Sequence, residues 1–132
     1  GHNFVRTMAS LAQRGINPRV VNDQIGRLTF TADLAAGIRH LLDTDAVSGT
    51  YNLTGSGQPS TWAEIAAQIF EVTGHDSARI TGISTDEYFA SSTAPVAPRP
   101  RNSTLDLAKI RDSGYSPANW NESLWRYLAG ES

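Results

Sequence analysis

At 132 residues, with 39% hydrophobic and 18% charged side chains, the chain has the composition of one globular domain or of part of a larger one. Eleven basic against thirteen acidic side chains leave a formal charge of −2, without the basic excess that nucleic-acid binding demands. Cysteine is absent, which excludes disulfides, thiolate nucleophiles and cysteine-ligated zinc, and no apolar run approaches the roughly 20 residues of a membrane span.

The elements follow in order. Phe4, Val5, Met8, Leu11 and Ala12 recur at helical spacing, predicting an opening helix that Gly15 stops. Arg19-Val20-Val21 reads as a short strand entered through Pro18. Thr31 is placed to cap the next helix, with Asp33 in its first turn and Leu34, Ile38, Leu41 and Leu42 as its buried stripe. Thr50 to Thr54 reads as a strand running into Gly55-Ser56-Gly57. Thr61 and Glu64 have capping-box spacing before a helix that carries Trp62, Ile65, Ala66, Ile69 and Phe70 on one face.

Arg79 to Ile83 is a further predicted strand, and Ser84 with Glu87 repeats the capping-box spacing. A loop from about Ser91 to Thr104, punctuated by Pro95, Pro98 and Pro100, has the length of a functional segment. A short helix over Leu107 to Arg111 and a last one starting at Asn119, with Leu124, Trp125 and Leu128, complete the chain. Core packing is expected for Trp62, Trp120 and Trp125. Helices outnumber short strands, and the strands are too few for a complete doubly wound sheet. The chain reads as part of an α/β protein.

Catalytic motifs are missing. Gly55-Ser56-Gly57 has Ser60 where a dinucleotide fingerprint needs its third glycine, so a plain strand-to-helix turn is expected. Four residues after Tyr51, Tyr88, Tyr115 and Tyr127 stand Gly55, Ser92, Asn119 and Glu131, so the tyrosine–lysine couple of short-chain dehydrogenases is excluded. There is no G-x-S-x-G elbow, and His2, His40 and His75 lack metal-ligand spacing.

Two arginine features remain. Asn22 to Thr31 is a polar loop after a strand, with Gln24, Arg27 and Thr29 at a helix start, a place suited to an anion. In Arg99-Pro100-Arg101-Asn102-Ser103, proline fixes the backbone between two guanidinium groups, which lowers the cost of ordering the loop on a ligand. Ten of the eleven basic residues are arginine, Lys109 being the lysine, and the guanidinium fork matches phosphate. From the residues alone two readings stand: solvated basic loops, or a pair of loops converging on a diphosphate.

Three blocks resemble the dTDP-4-dehydrorhamnose reductase family, which are extended short-chain dehydrogenase/reductases. They are Asn3-Phe4-Val5-Arg6-Thr7-Met8, Val20-Val21-Asn22-Asp23-Gln24-Ile25-Gly26-Arg27, and Ala97-Pro98-Arg99-Pro100-Arg101-Asn102-Ser103 with Leu105-Asp106 and Lys109. Leu28 departs from the pattern, since the family commonly has proline there. The resemblance runs from the first residue to about Tyr127 and covers the C-terminal, substrate-binding portion of the family's Rossmann-type fold. It implies a helix-rich α/β region with a few short, mostly parallel strands.

It further implies a cytoplasmic parent enzyme that uses NADPH or NADH to reduce the 4-keto group of a dTDP-sugar in dTDP-L-rhamnose synthesis. The cofactor, the catalytic tyrosine and the lysine would belong to an N-terminal Rossmann domain absent here. No catalytic, cofactor-binding or metal residue is expected in this chain, and the chain alone would be inactive. Gln24, Arg27, Thr29, Arg99 and Arg101, with Asn3 and Phe4, are the implied substrate contacts. Segments 31–54 and 104–129 would pack on the Rossmann domain, so that the Tyr51 to Leu53 edge, left alone, would drive self-association or domain swapping. No nucleic acid or membrane partner is implied. A non-catalytic regulatory subunit of methionine adenosyltransferase, or another nucleotide-sugar epimerase or reductase, are the alternatives; a fused epimerase is compatible with the first reading.

Overall fold

The computed structural model describes residues 2–130, which form two compact units. One comprises residues up to Gly26 together with Ser60–Ser103; the other comprises Arg27–Pro59 and the residues from Thr104 onward.

The first unit is built on two amphipathic helices. Helix α1 (Phe4–Gln13) begins where the Asn3 side chain accepts from the Arg6 amide at 2.9 Å, and it buries Val5, Met8 and Ala12. Helix α3 (Trp62–Val72) begins in a complete capping box: Glu64 N–H donates to Thr61 Oγ1 at 3.2 Å and Thr61 N–H to Glu64 Oε2 at 2.7 Å. Its Ile65, Ala66, Ile69 and Phe70 are fully shielded and pack against α1 and against strand β1 (Arg19–Val21). Strand β1 runs parallel to β4 (Thr81–Ile83), with Val20 beside Gly82.

The strand expected from Arg79 starts only at Thr81, because Ser77–Arg79 forms a 3-10 turn capped by Asp76. Arg79 is used there as a plug. Its guanidinium donates to the Ala12 and Ile16 carbonyls and to Asn17 Oδ1, and lies 5.1 Å above the Phe70 ring. Strands β2 (Ile25–Gly26) and β3 (Ser60–Thr61) form a short antiparallel pair. Helix α4 (Thr85–Phe89) is capped by Ser84, but Glu87 leaves the second half of the box unmade and pairs with Arg19.

The second unit buries fewer of its apolar side chains. Helix α2 (Thr31–Asp43) starts at Phe30, which gives no side-chain cap, so Thr31 is its first helical residue rather than its cap. The expected buried stripe is not buried in this chain: Ile38 is 50% and Leu42 72% exposed, and within α2 only Gly37 is buried. Residues 50–54 form no strand; Leu53 instead lies against α2, where a Cβ on Gly37 would meet it at 2.5 Å. Helix α5 spans Ala108–Asp112, and α6 spans Trp120–Ala129, capped by Asn119.

Leu107, Ile110, Trp120 and Leu124 form the core of this unit. Trp120 also donates its indole N–H to the Gln58 carbonyl at 2.8 Å. Of the three tryptophans it alone is buried; Trp125 is 56% and Trp62 37% exposed. Asp33, at the start of α2, accepts from Ser123 Oγ at 2.5 Å and from Arg126, tying α2 to α6. Tyr115 donates to the Asp33 carbonyl at 3.1 Å, and burial next to this carboxylate raises its phenol above the usual value. The Gly55-Ser56-Gly57 turn packs on Asn119 and Trp120, where a Cβ at Gly55 or Gly57 would come within 2.7–2.8 Å of them.

Candidate functional site

Where β1 ends, the chain turns through Asn22 and Asp23 into β2. The Asp23 carboxylate accepts from the Thr85 amide at 3.0 and 3.1 Å and from the Thr85 hydroxyl at 2.6 Å, which pins the first turn of α4 to this corner. These bonds from Thr85, side chain first, hold Asp23 below the ordinary carboxylate range, with Arg101 adding a smaller favourable charge. Gln24 Nε2 donates to the same Thr85 hydroxyl at 2.9 Å.

The next residue brings in the arginine loop. Ile25 N–H donates to the Arg101 carbonyl at 2.8 Å, and Ser103 returns two bonds to the Ile25 carbonyl, from its amide at 2.9 Å and its hydroxyl at 3.1 Å. Ile25 therefore pairs with Thr61 on one side and with Asn102, in parallel, on the other. This pairing places residues 99–103 beside Asp23 and Gln24. A Cβ at Gly26 would sit 2.7 Å from Ser103 Oγ, so the hydroxyl would have to turn away from the Ile25 carbonyl.

Between these pieces lies a cavity of about 420 Å³. Gln24 and Asp23 form one side, Thr85, Asp86 and Phe89 of α4 another, and the segment 96–99 with Arg101 the third. Arg99 and Arg101 are exposed, and neither guanidinium has a hydrogen bond or ion pair to another described residue. Pro100, between them, does not line the cavity. The site thus combines two guanidinium groups without hydrogen bonds, the carboxylates of Asp23 and Asp86, an apolar wall of Phe89, Val96 and Pro98, and the Gln24 amide, with Arg101 close enough to Asp23 to favour its charged form. These are groups suited to binding rather than to bond making. Among the described residues no group of histidines or carboxylates could hold a metal.

Of the residues expected to touch substrate, Gln24, Arg99 and Arg101 line this cavity. Arg27 and Thr29 belong to the other unit. There the Arg27 guanidinium donates to the Gly57 carbonyl at 2.8 Å and the Leu105 carbonyl at 3.3 Å, bracing backbone, while Thr29 is exposed. Asn3 caps α1, and Phe4 packs edge-on against Trp62 with ring centroids 4.7 Å apart. Neither lines the cavity. Asp23, Thr85, Asp86 and Phe89 were not anticipated as lining residues. Asp23 is adjacent to Gln24 in the loop that drew attention, and Thr85 directly follows the cap Ser84, but their meeting depends on the β1–β4 pairing.

A family model described as the RmlD substrate binding domain matches residues 1–132. The chain belongs to this family. This RmlD domain is 39% identical over 132 residues to the spore coat polysaccharide biosynthesis protein SpsK of Bacillus subtilis, covering 100% of the chain and 44% of that protein. It is 33% identical over 135 residues to a dTDP-4-dehydrorhamnose reductase of Aggregatibacter actinomycetemcomitans, covering 94% of the chain and 44% of the relative. A crystal structure of dTDP-4-dehydrorhamnose reductase from Bacillus anthracis in complex with NADP superposes with a TM-score of 0.85 at 32% identity, over 98% of this chain and 44% of that one. The fold is that of the substrate-binding, C-terminal portion of these reductases, and the RmlD domain spans less than half the length of the relatives it matches.

Proposed function

We propose that the RmlD domain holds the nucleotide end of a dTDP-sugar for an NAD(P)H-dependent reductase that reduces its 4-keto group in dTDP-L-rhamnose synthesis. The observation that carries this reading is the pair of guanidinium groups, Arg99 and Arg101, that make no hydrogen bond to a described residue, on a cavity that also offers an apolar wall and the Gln24 amide. A diphosphate answers the two cations, and planar guanidinium forks bind phosphate oxygens in pairs. Two carboxylates, Asp23 and Asp86, line the same cavity, and the Asp23 oxygens are taken up by bonds from Thr85.

Hydride transfer and proton donation are assigned to the portion of such reductases that this domain does not span. The solved relative with NADP supports the cofactor class. Within this division of labour the RmlD domain contributes binding energy remote from the reacting carbonyl and is inactive alone. Arg27 acts as a strut for the turn at Gly57. The exposed face of α2, with segments 31–54 and 104–129, is the seat of the Rossmann portion, and an isolated domain would cover that face with a second copy. Light scattering that shows only monomer at high concentration would overturn this last point.

The central test is titration with dTDP. Arg99→Ala should weaken binding about tenfold, the worth of a hydrogen-bonded pair to a charged group. In the full-length reductase the same change should raise KM more than it lowers kcat, because the lost interaction is uniform. An unchanged KM would remove Arg99 from the site.

A further inference from the structure

The hydrogen-bond polarity around Thr85 settles which way the Gln24 amide faces. An ionised carboxylate only accepts, so at 2.6 Å the Thr85 hydroxyl must give its single proton to Asp23. The Thr85 oxygen is then left only as an acceptor. Across the 2.9 Å contact, Gln24 must therefore present its NH2 and not its carbonyl. Turning the amide over would set two acceptors against one proton. The Thr85 amide bonds to both Asp23 oxygens keep the carboxylate in place, so the direction of the chain is fixed from its Asp23 end.

The consequence falls on the cavity. Gln24 Oε1 has no partner among the described residues, and Gln24 lines the same cavity as Arg99, Arg101 and the apolar wall of Phe89, Val96 and Pro98. We infer that Thr85 is a positioning residue that, anchored by Asp23, locks Gln24 as a hydrogen-bond acceptor toward the ligand and so selects a pyrimidine carrying an imide N–H. Thymine and uracil offer that donor at N3, whereas cytosine offers a lone pair there and meets carbonyl with acceptor. A flat base against Phe89 and Pro98, with its diphosphate toward the two arginines, uses the apolar wall, the Gln24 amide and both cations of the cavity. This inference rests on the nucleoside-diphosphate reading given above and names the base within it.

The test compares dTDP, dCDP and inorganic pyrophosphate by calorimetric titration of the whole chain and of three variants. The unaltered protein should bind dTDP about tenfold more tightly than dCDP. In Thr85→Val the lock is gone and the amide can turn over. Affinity for dCDP should then rise toward that for dTDP, with pyrophosphate binding unchanged, a pattern that mere loosening of α4 would not produce. Thr85→Ser, which keeps the hydroxyl, should retain the preference. Gln24→Met should abolish it by weakening dTDP instead, and this variant leaves α4 untouched should Thr85→Val fold poorly. Equal binding of dTDP and dCDP by the unaltered protein would overturn the inference while leaving the diphosphate site standing. A preference that survives Thr85→Val or Gln24→Met would overturn it as well. Failure to bind both dTDP and pyrophosphate would bring down the site reading and this inference together.

Discussion

The two units of this domain are held together by different means. The first has an aliphatic and aromatic core: Val5, Met8 and Ala12 of α1, Ile65, Ala66, Ile69 and Phe70 of α3, and Val20 and Ile83 of the β1–β4 pair are all buried. Its most exposed large apolar side chain is Tyr88, at 53%. In the second, Val47 is 81%, Leu42 72%, Trp125 56% and Ile38 50% exposed. That unit relies on polar links such as Asp33 to Ser123, Ser56 to the Pro117 carbonyl and Trp120 to Gln58. Among the described residues each unit leaves five large apolar side chains exposed, but the first buries nine hydrophobic residues against four in the second, whose exposed side chains are also the more solvated. The cavity lined by Gln24, Arg99 and Arg101 belongs to the first unit.

Substitutions can break or sharpen this contrast. The largest effect is expected for Phe70→Ala, which empties the centre of the first unit and should cost about 3–5 kcal/mol, measured by denaturant unfolding. Asp33→Ala comes next. It removes the acceptor of the buried Ser123 hydroxyl and of Arg126, and should cost about 1–3 kcal/mol with little effect on ligand affinity. A smaller and more local effect is expected for Gly26→Ala, whose Cβ pushes Ser103 Oγ off the Ile25 carbonyl. It should weaken dTDP binding more than it lowers stability, and Ser103→Ala should relieve the clash in the double variant. Least of all, Leu42→Gln should change the stability of this chain by under about 0.5 kcal/mol, because its side chain is mostly solvated. In a longer chain that carries the proposed Rossmann portion the same substitution should destabilise measurably; an equal, negligible effect in both would show that α2 is no docking face.

Acid titration probes the corner that shapes the cavity. Asp23 has its pKa lowered in the folded chain, so its contribution is complete above the ordinary value of 3.8 and is lost as pH falls through the folded value. Asp23→Asn should therefore be less stable than the unaltered protein at neutral pH, and the difference should shrink as the pH drops below about 4.

Local patterns in the sequence carried most of the helices. The Thr61–Glu64 box, the α1 periodicity and the Val20 strand are short-range features, readable from neighbours three or four residues apart. The misreadings have one physical origin. The α2 stripe and the 50–54 segment are amphipathic, and amphipathicity tells that a face wants cover without telling what covers it. A strand at 50–54 needs a ladder partner, and this chain supplies none among its described residues. The site was half legible. Arginines flanking a proline and a polar loop after a strand announced Gln24, Arg99 and Arg101. Arg27 looked equivalent to them, yet its guanidinium is committed to the Gly57 and Leu105 carbonyls, a long-range pairing that no local pattern reveals. Thr85 and Asp23 become neighbours only through the parallel register of Val21 with Ile83.

The double pairing of Ile25 also sets where the chain can tolerate changes in length. The parallel bridge to Asn102 clamps the arginine segment at one end, while residues 91–98 are wholly exposed and form no ladder. Inserting or deleting residues before Val96, the first of this segment to line the cavity, should leave both guanidinium groups where they are. A single residue gained or lost between Arg99 and Arg101 would carry Arg99 out of phase with Arg101 and leave one cation facing the cavity instead of two.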